Sequence, residues 1–519
     1  MPVTAHDFVI VIPVADRPRQ LDDCLSSLTT LRQRYPYPGA VSVLVVDDSL
    51  DADNLAQHQW IARRYTGAGL DCRYLSQHEQ RDLVDSLPAS SRERLTGVIG
   101  AGAGYAHKGA SITRNIAYLW LSRLPADGRK RLFWFIDSDQ EFRVNRDTVE
   151  GEVLDYAIDY FSALDRIFSD TPARILTGKV VGDPPVSPAV MAGTFLDDVL
   201  AFVDEMAGLE ATAACGFHGA AGLSGADAAY HDMADLFGFK TAAEPYRYPC
   251  PLTGAHDHVA TFAHVATRLN RFFDGEHPTR RSTYQADDPV ASVKPARTIY
   301  TGNYVFTPAG LDWFIPFAAL KLRMAGPTLG RLIQAELGGD FVTANLPMLH
   351  KRTVDEIGRS EFRPGIEHDQ ARIDLSGEFE RQYFGDVMLF SIERLTAQGF
   401  PDRDLTPAQI GATLDAVEAE MRQRYALKQA QVVEMIERLD RLFSAPAQWW
   451  WHVPGLTEAH REFRRFIDNM RGNFGAETRG WHMVASASHA AARKAAMAAA
   501  IHGYRDQRAV WRTRLTEAV

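Results

Sequence analysis

Phe133-Trp134-Phe135-Ile136-Asp137-Ser138-Asp139 is the stretch on which the fold of this 519-residue chain turns. From Leu132 to Ile136 the residues are apolar without alternation, the pattern of a strand buried on both faces of a sheet. The run stops at two carboxylates one residue apart. In open α/β sheets ligands lie beyond the carboxyl ends of the strands, which puts both acids at the ligand-binding edge. Hard divalent ions such as magnesium and manganese take oxygen ligands and bridge carboxylates to substrate phosphates. An Asp-rich turn that merely caps a strand looks the same locally, so the surrounding sequence has to decide.

Upstream, Phe8 to Pro13 and Val41 to Val46 are two more buried apolar strands, and Cys72 to Leu75 is a shorter one. Leu21, Cys24, Leu25, Leu28 and Leu31 recur at helical spacing, and Ser111 to Leu124 reads as a further helix. Strands separated by helices predict an α/β sheet with right-handed crossovers. The second strand also ends in acids, Asp47-Asp48-Ser49, where a carboxylate accepts hydrogen bonds from a ribose or base, or else caps the next helix. Lys108 and Arg114 open the helix that leads to the carboxylate strand. Cations there either offset a diphosphate, Arg bidentately, or stay solvated.

Downstream, Ala173 to Thr177 and Thr298 to Thr301 read as further strands. Between them, about 182–297 is rich in Gly, Ala, His and Pro and too long for a plain connection, which predicts an acceptor-side insertion with its own helices. After Pro401 the character changes. Thr406-Pro407 is a helix start, and Ile410, Leu414, Val417, Met421, Val432, Ile436 and Leu439 hold one apolar face. The expected division is a catalytic domain over 1–400, with nucleotide binding in 1–180, and a helical appendage over 405–519. The long amphipathic helix makes a homodimer plausible.

Composition narrows the function. With 46% hydrophobic and 24% charged residues the chain is an ordinary globular protein. A formal net charge of -10 argues against nucleic acid as main partner, since phosphate binding needs a basic face. Cys24, Cys72, Cys215 and Cys250 are scattered, and read as reduced, mostly buried thiols. No signal core or transmembrane run is seen, so a soluble, cytoplasmic protein is expected.

In order, Val11-Ile12-Pro13, Val45-Val46-Asp47-Asp48-Ser49, Lys108-Gly109 to Arg114-Asn115 and Asp137-Ser138-Asp139 resemble the GT-A glycosyltransferases, above all the large family typified by cellulose, chitin and polysaccharide synthases. Thr301-Gly302-Asn303 resembles that family's Gly-Asn segment beneath the donor sugar. Arg323 to Arg331 and Leu346 to Arg352 resemble the end of its catalytic domain. The likeness covers roughly 8–355 with gaps. It implies a GT-A (Rossmann-like) mixed sheet and transfer from a nucleoside-diphosphate sugar, UDP- or GDP-linked, to a hydroxyl acceptor that is small or carrier-linked. It implies that Pro13, Asp47, Asp48, Lys108, Arg114, Asp137 and Ser138 bind the nucleotide sugar. Asp137, Asp139 and His350 would hold Mn2+ or Mg2+, and Asp139, Asn303 and Arg331 would act at the reaction centre.

The likeness breaks at one place. Inverting members carry an acidic pair just before the helix of the 323–331 segment, where Ala325-Gly326-Pro327-Thr328 stands here. Either another group serves as base (Glu336, Asp340, His368 or Asp369 by position), or the enzyme retains configuration, the favoured reading. The rivals are a catalytically inactive GT-A scaffold and a sugar nucleotidyltransferase. The latter needs a Gly-rich loop where Pro13-Val14-Ala15-Asp16-Arg17-Pro18 has no glycine. His256-Asp257-His258 either converges on a metal, as alternate loop residues can, or, in the favoured reading, supplies polar-loop or acceptor-site residues, as do His218 and His231-Asp232; a closed zinc site needs four ligands, whose identity the sequence does not give. Trp449-Trp450-Trp451 is expected to pack against the catalytic domain or a second subunit.

Overall fold

The apolar runs assemble into one nine-stranded mixed sheet. In this computed structural model, residues 5–100, 104–125, 127–148, 151–185, 187–218, 246–279, 282–351, 365–369 and 372–516 are described. His231-Asp232 and Arg352 lie outside them. The first strands are β1 (Asp7–Val14), β2 (Val41–Asp47) and β3 (Asp71–Leu75), followed by β4 (Arg131–Ile136) and the two-residue β5 (Gln140–Glu141). A hairpin of β6 (Val144–Thr148) and β7 (Gly151–Asp155) stands apart. Then come β8 (Ile175–Gly182), β9 (Lys294–Pro295), β10 (Asn303–Phe306) and β11 (Phe341–His350), and a second hairpin, β12 (Glu367–Asp369) with β13 (Arg372–Asp374). The order is β3-β2-β1-β4-β10-β8-β11-β5, with β9 on β11. β10 runs antiparallel between β4 and β8, whereas β1 to β4 are mutually parallel and β8 is parallel to β11.

Helices cover both faces. α1 (Pro18–Arg34) and α2 (Ala52–Gly67) lie on one side. The short helices α3 (Gln77–Asp85), α4 (Ala89–Arg94) and α5 (Thr96–Ile99) and then α6 (Ala110–Leu121) lie on the other, and α7 (Tyr160–Asp170) returns to the first. The pleat divides β1 accordingly: Phe8, Ile10 and Ile12 pack with Leu21, Leu25 and Leu28 of α1, whereas Val9 and Val11 join Ile112 and Ile116 of α6. A sheet apolar on both faces, sealed by helices, leaves only its strand ends for a ligand. This is a mixed α/β sheet flanked by helices, the architecture that the motifs imply.

Thr298 to Thr301 is not a strand. The neighbouring strand is β10, and the preceding segment is instead the floor on which α10 (Ala325–Leu337) rests, after α8 (Pro188–Ala207) and α9 (His258–Leu269) of the expected insertion. A Cβ on Gly326 would lie 2.3 Å from the Ile299 carbonyl oxygen, and one on Gly330 would lie 2.6 Å from Thr298 Cα. The helix therefore approaches this backbone too closely for a side chain at either position.

The C-terminal region is helical: α11 (Ser376–Ala397), α12 (Pro407–Ser444), α13 (Thr457–Phe474), α14 (Arg479–Ala485) and α15 (Ala487–Thr516). Thr406 closes a capping box with Gln409, and Pro407 occupies the first turn. α12 packs on α8, α11, α13 and α15, and its apolar face joins the same buried layer as α6. The indole triplet packs within the chain. Trp450 stacks on Phe262 of α9 at 5.2 Å, Trp449 donates to the Met206 carbonyl, and Trp451 stacks on His460. Among the described residues no helix is long and apolar enough to cross a membrane.

One buried acid in this region yields a test. Asp386 of α11 is fully buried, and accepts from Gln382 Nε2 at 3.0 Å and from the Tyr425 hydroxyl of α12. Burial pushes its pKa up to about 7, against the pull of the two hydrogen bonds. A folded-state value above the unfolded value of about 3.9 stabilises the fold fully below that lower value. The contribution is lost as pH rises through about 7. Over roughly three units the loss is on the order of 4 kcal/mol. Between about pH 5 and about pH 8.5 the urea midpoint of the wild type is expected to fall relative to that of Asp386→Asn. Parallel midpoint-versus-pH curves for the two proteins would exclude this carboxyl as the source.

Candidate active site at the strand ends

β4 delivers Asp137 and Asp139 to the carboxyl edge of the sheet, and β5 then turns back to pair with the end of β11, His350 opposite Gln140. That register brings the second acid to the histidine. His350 Nε2 lies 3.6 Å from Asp139 Oδ2, and both side chains are buried. His350 Nδ1 lies 2.6 Å from the Asp183 carbonyl oxygen, which can only accept. Nδ1 therefore carries a proton and donates to it, and Nε2 is the ring atom that faces the carboxylate. Two ligands of a six-coordinate ion at about 2.1 Å stand roughly 3 Å apart when adjacent, so carboxylate and imidazole suit one divalent ion with little movement.

Asp137 is turned differently. Its carboxylate is about a third exposed and pairs with Arg114 of α6, while the first-turn Ala110 carbonyl holds the other end of that guanidinium. Gly302 closes in beneath it: a Cβ there would stand 2.6 Å from Asp137 Oδ2. Asp139 Oδ2 also receives Arg17 NH1 at 2.8 Å, from the loop between β1 and α1. Each carboxylate of the pair thus rests against an arginine.

Asp48 sits against the two residues that lead into α6. It accepts from the backbone N–H groups of Lys108 and Gly109, both at 3.0 Å, and from Lys108 Nζ at 2.8 Å. Burial lowers the Lys108 pKa, with Asp48 pulling the other way. Beside it, Asp16 and His107 both take positive φ, and their side chains meet at 2.5 Å. Burial alone would raise the Asp16 pKa, but hydrogen bonds from Leu50, His107, Asp51 and Asn54 bring it below the usual value. Pro13, in register with Val46, and Ser138 are buried at the same edge.

Three of the expected site residues turn inward. Asp47 is fully buried and accepts from Ser49 N, the Tyr74 hydroxyl and His58 Nδ1. Asn303 accepts from Trp134 Nε1 and donates to the Lys179 and Leu346 carbonyls, which ties β4, β8 and β11 together. Arg331 binds Glu393 of α11, the Arg297 carbonyl and Thr298. It is the backbone of Gly302, not the Asn303 side chain, that borders the acids.

The candidate bases whose side chains are described are engaged or placed elsewhere. Glu336 is held at both oxygens by Arg508 of α15, and His368 Nε2 lies 3.9 Å from Asp274 Oδ1. Asp340 precedes β11, so along an extended strand it stands roughly 30 Å from His350 at the other end. The Asp369 side chain lies outside the described residues. Arg17, Asp16 and His107 were not singled out in the sequence; Arg17 carries the one available signal, a cation directly after the first strand.

No protein-family model and no curated protein matches this sequence. Among solved structures, the crystal structure of mannosyl-3-phosphoglycerate synthase from Rubrobacter xylanophilus aligns at 16% identity, over 37% of this chain and 47% of its own, with a TM-score of 0.22. S. aureus TarS aligns at 13% identity, over 90% of this chain and 54% of its own, with a TM-score of 0.31. The alignments thus span about half the length of each of those proteins.

Proposed function

We propose that this protein is a glycosyltransferase that moves a sugar from a nucleoside-diphosphate sugar, UDP- or GDP-linked, to the hydroxyl of a small or carrier-linked acceptor. The observation that carries the reading is the convergence of Asp139 and His350, with the imidazole Nδ1 bound to the Asp183 carbonyl, beside the Asp137–Arg114 pair. Asp139 and His350, with Asp137, would hold a magnesium or manganese ion. When bound, that ion neutralises the diphosphate leaving group as a Lewis acid. Arg17 and Arg114 are the cations that exchange a carboxylate for the donor phosphates, a planar guanidinium being matched to two phosphate oxygens. Asp48, at the start of α6, faces the nucleoside. Asp47, Asn303 and Arg331 are supporting residues in this reading.

Retention of configuration is supported by the close approach of α10. Where inverting relatives carry a base, Gly326 lies against the Ile299 carbonyl, and Glu336 is engaged elsewhere. In that course the leaving phosphate oxygen takes the acceptor hydroxyl proton. The sugar–phosphate C–O bond breaks, and the new C–O bond forms on the same face.

The test is thermal denaturation with a panel of nucleoside diphosphates and their sugars, with and without manganese, on wild type and Asp139→Ala. One nucleotide is expected to stabilise the wild type only with metal, by about 2.7 kcal/mol at a hundred times its Kd. No shift from any nucleotide on a folded sample would remove this reading in favour of an inactive scaffold.

A further inference from the structure

A second cluster lies where the chain leaves α8 and where it enters α9. Cys215, His218, Cys250 and His256 each bring one ligand atom to a common point, with all four atoms within 4.8 Å of one another. Cys250 Sγ is 3.3 Å from His256 Nε2, and the His218 and His256 rings meet edge to face at 4.7 Å. In a tetrahedral zinc centre, with Zn–S near 2.3 Å and Zn–N near 2.0 Å, neighbouring ligand atoms stand roughly 3.3–3.8 Å apart. The four atoms need little movement to meet that.

The surroundings hold the ligands in place. His256 Nδ1 donates to the Gly254 carbonyl at 2.9 Å, which leaves the Nε2 lone pair facing the cluster, the outer-shell contact typical of a metal-bound histidine. The buried Thr261 of α9 places its hydroxyl 3.1 Å from Cys215 Sγ and 3.7 Å from Cys250 Sγ. Backbone bonds tie the two flanks together: Cys215 N to the His256 carbonyl and Cys250 N to the Phe217 carbonyl. The other two residues of the histidine motif have different tasks. Asp257 caps α9, and the buried His258 bridges the Glu210 carbonyl and the Gly216 N–H.

We propose that Cys215, His218, Cys250 and His256 form a structural zinc site that clamps the chain after α8 to the start of α9. Two thiols and two imidazoles are a donor set for zinc and a poor one for magnesium or manganese, which need oxygen. Four protein ligands leave no open position for chemistry. Binding displaces one proton from each thiol, and two thiolates with two neutral imidazoles balance the charge of the ion. This site is independent of the carboxylate cluster and of the activity assigned to it.

Elemental analysis of the full chain, purified without chelator, is expected to find one equivalent of zinc. That equivalent is kept in Asp139→Ala and lost in Cys215→Ser and His256→Ala. Should those variants fail to fold, the wild type still decides. Cys215 and Cys250 are expected to resist alkylation until the zinc is chelated, and cobalt substitution to give the visible bands of a tetrahedral thiolate centre. Metal-free protein with both thiols reactive, zinc that persists in His256→Ala, or a Cys215–Cys250 disulfide in the purified chain would each overturn the proposal.

Discussion

Asp139→Asn is expected to lower sugar transfer by about 10²–10³-fold, the usual cost of removing one group that stabilises charge in a transition state. The amide keeps the shape of the side chain while removing the charge that faces His350 and Arg17. The loss should fall mainly on kcat, with a raised manganese requirement, because the leaving diphosphate is most charged as its bond to the sugar breaks. Transfer by Asp139→Asn/His350→Ala should be little worse than by the poorer single variant. Two ligands of one ion act as a unit, and removing the second from a site already disabled subtracts little. Steady-state kinetics of the four proteins across a manganese titration decide the matter. Multiplicative losses in the double variant, or a single variant within a few-fold of wild type, would separate the two residues and take the metal out of this reading.

How much of this was legible in the sequence depended on whether a feature is local. β1 and β4 are uninterrupted apolar runs and β2 is broken only by Ser42, and the ends of all three follow the sequence within a residue. Thr298 to Thr301 carries the same β-prone residues, yet its backbone is claimed by α10 through Gly326 and Gly330, a tertiary demand invisible to propensity. The site divides in the same way. The carboxylates at the end of β4 follow from the pattern. The approach of His350 needs the β5–β11 register, which no spacing reveals. Asn303 and Arg331 turn inward because Trp134 and Glu393 wait there. The Cys–His cluster escaped for a related reason. Neither half, Cys215 with His218 or Cys250 with His256, makes a closed site alone, and only the fold joins them.

Asp47 is given a supporting part in this reading, and its replacement should separate stability from binding. His58 donates from Nδ1 to Asp47 at 2.7 Å, while its Nε2 accepts from the backbone N–H of Arg17. The same Arg17 sends its guanidinium to Asp139. The buried carboxylate thus fixes the ring, the ring fixes the loop, and the loop aims the arginine. Asp47→Ala leaves the Tyr74 hydroxyl, the His58 ring and Ser49 N facing a void. At about 1–3 kcal/mol for each buried donor left unsatisfied, less what relaxation recovers, the expected destabilisation is about 3–5 kcal/mol. Urea unfolding should show it as a lower midpoint with an unchanged m-value. At low temperature, where the variant is still folded, donor affinity should fall less than in Arg17→Ala, since the arginine is displaced but present. If Asp47→Ala unfolds at the wild-type midpoint and yet binds no nucleotide, its carboxylate meets the ligand directly, and the chain of contacts from Asp47 to Arg17 is not its role.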